Sequence, residues 1–406
     1  MNRGVRALAF TSLAHFANDG TAFIFPVLIV FYTKYANVPI TILGALAIVY
    51  EIISGVLSTR VGAKADAGDR DGLLIATGIF ILAGSVLSFA ISFIFLPALY
   101  EFMFIGTAML GIGQAFYHPI GATVLSQSFE KSRSPFALGI NGAIASSGRA
   151  VMPSILVFTF AFIVRGGGLG IISAYMFAAA IAIYFGLRFF HRPAKDASAS
   201  KMSFRHGGGI EKYWRFLILL TIIVFIRSMF MLGVQTFSPD YLTNVLNSES
   251  LMGILLTASL FTSVLGQPLF GYLTSIRGGK FTITITSVFS LVGFFIFLIT
   301  DSFPIIFFGY ALFTFMAFTG FPVLLGYVGQ MIPSEFSTRS NSMVWGIGNT
   351  IGGAAGIAVY TGLYPFIGYA DSMWVMFVFA LVSVLMIPLL PSRNITVKVY
   401  KSGNDK

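Results

Sequence analysis

Residues 55–64, Gly55-Val56-Leu57-Ser58-Thr59-Arg60-Val61-Gly62-Ala63-Lys64, return 216 positions later as Gly271-Tyr272-Leu273-Thr274-Ser275-Ile276-Arg277-Gly278-Gly279-Lys280. Glycine, leucine, two hydroxyl residues, glycine and lysine fall in register. A looser echo links Glu130, Arg133 and Gly139 to Glu335, Arg339 and Gly346. A chain that carries the same junctions twice is built from two related halves.

The composition says in which solvent those halves fold. Of the 406 residues, 56% are hydrophobic and 10% charged. Soluble chains carry about 25% charged residues. Forty charges cannot cover a water-soluble surface of 43.9 kDa, so the chain is expected to be a polytopic membrane protein. Cysteine is absent, which excludes a disulfide scaffold.

A spanning helix needs about 20 apolar residues. Twelve segments qualify, near 6–33, 39–60, 73–96, 98–129, 134–164, 168–189, 213–239, 250–275, 281–300, 303–331, 340–366 and 371–391. No cleavable signal peptide is evident, since the first apolar stretch runs on through Pro26 to Tyr32. With the N-terminus placed in the cytoplasm, 21 of the 25 basic residues fall in tails and loops on that side. Lys34 and Arg165 alone fall opposite, and Arg149 and Arg227 lie inside spans. That asymmetry predicts cytoplasmic termini and accounts for the net charge of +10 without nucleic acid. The expected organisation is an all-α protein with a six-span bundle over 1–189, a basic cytoplasmic linker over 190–212, a second six-span bundle over 213–392 and a cytoplasmic tail over 393–406.

The Gly55–Lys64 stretch resembles the loop signature of the major facilitator superfamily, with Thr59 and Ala63 where that family usually has Asp and Arg. Gly55, Arg60, Gly62, Lys64, Gly271, Gly278 and Lys280 are the matching positions, which the resemblance makes gating or loop residues. Gly139, Gly142, Gly148 and Pro153 give a degraded form of the antiporters' glycine-proline pattern. His15-Phe16-Ala17-Asn18-Asp19 followed by Pro26, and Gly111-Ile112-Gly113-Gln114-Ala115-Phe116-Tyr117-His118-Pro119, look like motifs of the fosmidomycin-resistance branch of exporters. The resemblance implies twelve helices in two pseudo-symmetric bundles and proton-driven efflux of drugs or small organic compounds.

Ionisable groups inside a bilayer are costly and mark function. At 1.5 Å per residue, Asp19, Arg149 and Arg227 each lie about 20 Å into their spans, near the midplane where repeat-built transporters bind solute. Asp19, Glu51 and His118 are the candidate proton-coupling groups. His15, Asn18, Gln114, Asn141, Arg149 and Arg227 are the candidate solute contacts, the two arginines suiting an anionic group. His15 and Asp19 share a helix face at i,i+4, as do Gln114 and His118. Pro119 is placed to kink the fourth span.

Gly278-Gly279-Lys280 lacks the upstream glycine of a nucleotide-binding loop, and no H-E-x-x-H or G-x-S-x-G is present. The sequence therefore predicts no enzyme, no cofactor and no metal site. It predicts a monomeric, multi-pass plasma-membrane transporter whose partners are lipid, protons and a small organic solute, an anionic one suiting the two midplane arginines. Efflux by proton antiport is the first expectation, and import of an organic anion by proton symport is the alternative.

Overall fold

The computed structural model describes residues 2–130, 134–191, 210–333, 336, 340–341 and 343–392. Lys131, Arg133, Glu335, Arg339, linker residues 192–209 and the tail from 393 lie outside the described residues. Eleven apolar helical stretches long enough to cross a membrane occur among them. The last, Met343–Leu389, holds 47 residues, or about 70 Å of helix, more than twice the ~30 Å hydrocarbon core. Inside it Gly368 takes φ 78°, which breaks the helix and divides it into spans 11 and 12. Twelve spans result.

Span 1 is Arg3–Thr21 and Ile24–Ala36; spans 2 to 6 are Ile40–Ala67, Asp71–Ile94, Leu99–Ser128, Ser134–Phe162 and Arg165–Leu187. Spans 7 to 9 are Trp214–Leu246, Glu249–Arg277 and Gly279–Leu298. Span 10 is Phe303–Ala317 and Gly320–Met331. Span 11 begins as a π-helical turn, Met343–Ile351, and continues into Gly352–Met386, which also carries span 12.

Two expected boundaries shift. Span 2 runs on to Ala67, so Gly55–Lys64 is helix and not loop. Ser58 and Thr59 donate to the Gly55 and Val56 carbonyls, and nothing there forces a left-handed residue. Its repeat does end a helix, because Gly278 takes φ 88° between spans 8 and 9. Span 7 extends to Leu246 and takes Asp240 into the helix, where the Tyr364 hydroxyl donates to its carboxylate at 3.4 Å.

Proline decides where two spans break. A helical proline lacks a donor and crowds the carbonyl four residues before it. For Pro26 that residue is Ala22, and span 1 breaks at Ala22–Phe23. For Pro322 it is Phe318, and span 10 breaks at Phe318–Thr319. Span 4 continues uninterrupted through Pro119.

The halves pack alike. Span 3 lies against spans 4 and 6, and span 9 against 10 and 12. Span 1 packs on span 5 and span 7 on span 11, each pair through a glycine: a Cβ at Gly148 would overlap the Phe16 carbonyl, and one at Gly356 the Met229 carbonyl. The seams between halves are also exchanged by the repeat. Span 5 meets span 8, span 2 meets span 11, and span 1 meets span 7. Asn37 and Asn247, the non-glycine residues with positive φ among the described residues, end spans 1 and 7 in matching left-handed caps.

Gly356→Ala is therefore expected to destabilise by about 1–3 kcal/mol through overpacking against span 7. Gly362→Ala, one and a half turns on, meets nothing within 4 Å; it is expected to be neutral or to stabilise by up to about 1 kcal/mol. Thermal unfolding of the two purified variants checks the contrast. Equal effects would show that the close approach at Gly356 is not a tight one.

Candidate functional site

The centre of the N-terminal half is organised by backbone proximity. A Cβ at Gly148 would overlap the Phe16 carbonyl and one at Gly20 would lie 3.5 Å from the Gly148 carbonyl, so the backbones of spans 1 and 5 come close there. The next residue along span 5 and the previous one along span 1 are Arg149 and Asp19. Arg149 Nη2 donates to Asp19 Oδ2 at 2.5 Å. The Asp19 side chain is 6% exposed and that of Arg149 18%. Just beyond, the Pro26 break leaves the Asp19 and Gly20 carbonyls accepting from Ala22 and Phe23, and Gln114 Nε2 donates to Thr21 Oγ1 at 3.2 Å. The ion pair thus sits at a bend halfway along span 1.

Both histidines of the two quoted motifs reach the same carboxylate. His15 Nε2 is 3.5 Å and His118 Nε2 3.6 Å from Asp19 Oδ1. Asn18 Nδ2 donates to that oxygen at 3.3 Å. His15 lies flat on Tyr117 at 4.3 Å between ring centres, and its Nδ1 meets Asn141 Oδ1 at 2.7 Å. Tyr117 also donates to Asn141 Oδ1, at 3.0 Å. Spans 1, 4 and 5 therefore bring His15, Asn18, Asp19, Gln114, His118, Asn141 and Arg149 into one polar cluster inside an apolar bundle.

Arg227 and Glu51 do not join it. Arg227 is buried in the other half, and its Nη2 donates to the Ala317 carbonyl at 2.9 Å. That carbonyl is released by the span 10 break, so the guanidinium satisfies backbone that lipid could not. A small cavity beside it is lined by Val224, Thr286, Gly320 and Val323 among others. The two arginines approach the break from opposite sides, Arg149 with its Cζ 5.6 Å from the Phe318 ring centre. They do not form a common anion clamp. Glu51 lies on the stripe of span 2 that carries Gly44 and Gly55, which abut Thr361 and Thr350 of span 11. That register puts Glu51 on the seam between halves at the level of Ala354. It forms no ion pair with a described residue.

The junction residues divide. Gly55 is held against Thr350, Gly62 lies 3.3 Å from Pro119 Cβ by its added Cβ, and Gly271 lies 3.5 Å from Pro322 Cβ by the same measure. Lys280 Nζ donates to the Pro388 carbonyl at 3.0 Å and to that of Leu390. Arg60 and Lys64 are exposed.

The seams close at one end only. At the end away from the N-terminus, Lys34 Nζ meets Glu249 Oε1 at 2.6 Å, the Tyr35 hydroxyl donates to the same oxygen, and Arg165 stacks on Tyr35. Ser154 N and Oγ bond to Thr257 Oγ1 and the Gly253 carbonyl of span 8. Midway, Gln267 Nε2 donates to Ser146 Oγ at 3.2 Å. Towards the N-terminal end, Gly139, Gly329 and Gly346 have nothing within 4 Å, and the His118 side chain is 57% exposed. His118 is thus the member of the cluster that reaches solvent on that side.

Sequence reading passed over Tyr117, Asp240, Phe318 and the pair Lys34–Glu249. Tyr117 stood inside a quoted motif; Asp240 was hidden by a boundary set at 239, seven residues before the span ends.

Asp19→Asn would leave a largely buried guanidinium without a counter-charge, at a cost of about 3 kcal/mol, the lower end for a buried pair because Arg149 keeps some exposure. Adding Arg149→Gln is expected to recover part of that loss. A double-mutant cycle on thermal unfolding reads the coupling, and strictly additive effects would dissolve the pair as a structural unit.

Comparison with known proteins agrees with this architecture. The family model of the Major Facilitator Superfamily matches residues 11–247 and 220–405. Among solved structures, a bacterial homologue of the human lysosomal transporter Spinster, in an inward-facing and unoccupied conformation, superposes with a TM-score of 0.71 at 13% identity over 96% of each chain. No significant match is found among curated proteins. With twelve spans, duplicated halves and a family match along nearly the whole chain, the protein belongs to the major facilitator superfamily.

Proposed function

We propose that the chain is a secondary active transporter that exports a small organic solute from the cell in exchange for protons. The observation that carries this reading is the one-sided seam. The halves are latched at one end and apart at the other, with a charged cluster whose His118 reaches solvent on the open side. A protein built from two rocking halves needs that geometry for alternating access. The positive-inside asymmetry supports an open end and termini on the cytoplasmic side, and a plasma-membrane location goes with the export reading. The two bundles, 1–189 and 213–392, are the bodies that move, joined by the 190–212 linker. Likeness of the His15–Asp19 and Gly111–Pro119 stretches to the fosmidomycin-resistance exporters supports efflux over uptake.

Among the acids named from sequence, Glu51 suits the proton best. Asp19 is tied to a permanent cation, and moving a proton there means opening the ion pair. Glu51 stands on a seam that must slide, with no described base to release first. Import of an organic anion is less supported by the geometry, because Arg149 is taken by Asp19 and Arg227 by the span 10 break.

In vesicles reconstituted with the full chain, an opposing proton gradient is expected to drive accumulation of an exporter substrate, with fosmidomycin as the first probe. Glu51→Gln should reduce that accumulation to the level of empty vesicles and leave downhill solute exchange in place. Gradient-driven accumulation that survives Glu51→Gln would remove Glu51 from the coupling, and accumulation only when proton and solute run the same way would reverse the direction.

A further inference from the structure

Three atoms with metal-ligand chemistry converge in the polar cluster: His15 Nε2, Asp19 Oδ1 and His118 Nε2, all within 4.8 Å of one another. The surrounding hydrogen bonds fix how they face. Thr11 Oγ1 gives its proton to the Ala7 carbonyl, so it accepts from Asn141 Nδ2, as Ser12 Oγ does at 3.2 Å. Asn141 Oδ1 is thereby turned to His15 Nδ1, which carries a hydrogen, so that the neutral ring has its lone pair on Nε2. This is the orientation that an outer partner imposes on a metal-binding imidazole. His118 Nε2 lies 3.6 Å from the same carboxylate oxygen and 3.4 Å from Asn18 Nδ2, at the exposed edge of the cluster. Two imidazole nitrogens and a carboxylate oxygen thus converge on one point, where a cation would meet a lone pair from each. Arg149 does not supply it, because it is bound to the other oxygen, Oδ2.

The spacing fits a cation of definite size. Ligands held about 2.0–2.1 Å from a tetrahedral ion stand about 3.4 Å from each other. Four of the six edges are close to this: 3.5 Å from His15 to Asp19, 3.6 Å from His118 to Asp19, and 3.3 and 3.4 Å from Asn18 Nδ2 to Asp19 and His118, while the two imidazole nitrogens stand within 4.8 Å of each other and would draw together on an ion. The fourth corner holds an amide nitrogen, which cannot ligate. Asn18 is 2% exposed, however, and its own Oδ1 is buried without a partner. Turning the amide over puts that oxygen at the corner.

We propose that His15, Asp19 and His118, with Asn18 turned over, bind a divalent first-row transition-metal ion of the zinc type, and that this ion is a second class of solute for the transporter. Imidazole and carboxylate oxygen together suit such ions better than magnesium or calcium, which take oxygen alone. The role as solute rests on the transport reading above and on the exposed His118 ring; the binding site does not.

Titration calorimetry of the purified full chain with zinc chloride is expected to show one saturable site. Cobalt chloride should give the intense visible absorption of a tetrahedral centre. His15→Gln and His118→Gln should each weaken zinc by tenfold or more with an unchanged melting temperature, and Asn141→Leu by about 10–100-fold through loss of the imidazole's outer partner. His191→Gln, at the separate surface pair with Asp69, should bind as wild type. Absence of saturable binding in the wild type, or wild-type affinity in His118→Gln, overturns the site. Zinc counted inside reconstituted vesicles then tests transport: accumulation lost in His118→Gln supports the solute role, and binding without accumulation overturns that role alone. Failure of zinc and of organic solute to move would instead bring down the transporter reading.

Discussion

A charge placed inside lipid has to be neutralised within the protein, and in this chain that requirement is met at Asp19 and Arg149. The pair exists because Gly20 and Gly148 let two helix backbones touch. A side chain at Gly148 would overlap the Phe16 carbonyl and push spans 1 and 5 apart, loosening the buried pair. The close approach, the ion pair and the polar cluster around it are one construction. His15, Asn18, His118 and Asn141 are arranged about a carboxylate whose position the glycines set.

The duplication explains the frame and not the site. Matching glycines seat span 1 on span 5 and span 7 on span 11, and matching asparagines close spans 1 and 7. Among the described residues, the polar cluster around Asp19 belongs to the N-terminal half. In its counterpart, Arg227 turns to the Ala317 carbonyl and mends the backbone broken before Pro322. One arginine thus holds an acid and the other holds a helix end. The broken span 10 lies between them, with the Phe318 ring under Arg149, so movement of either half against the other must pass through contacts made by a cation.

Much of this was legible in the sequence, for physical reasons that differ by level. Spans were legible because a bilayer demands about 20 apolar residues in a row. The central residues were legible because His15, Asn18, Asp19 and Arg149 are costly where they stand. Convergence was not: His15 meets Asn141 across 126 positions and His118 reaches Asn18 across 100, and no local spacing encodes such distances. The two histidines could therefore be noticed one by one in the sequence but not grouped about Asp19. Arg227 was misjudged because depth along a helix does not say which way a side chain faces. The junction at Gly55–Lys64 was read as loop from its likeness to a loop signature, while its own residues had no reason to leave the helix.

Gly139 and Gly346, one in each half, belong to the duplicated pattern and face empty space in the conformation seen here. A residue without a side chain is of no use where nothing approaches it. Both lie on the side where the halves stand apart, with Gly329 beside them. Their smallness makes sense as clearance for neighbours that arrive when that side shuts. The amino acids chosen for the open wall thus sketch the contact surface of the conformation not seen, much as the recess in a door frame shows where the bolt travels.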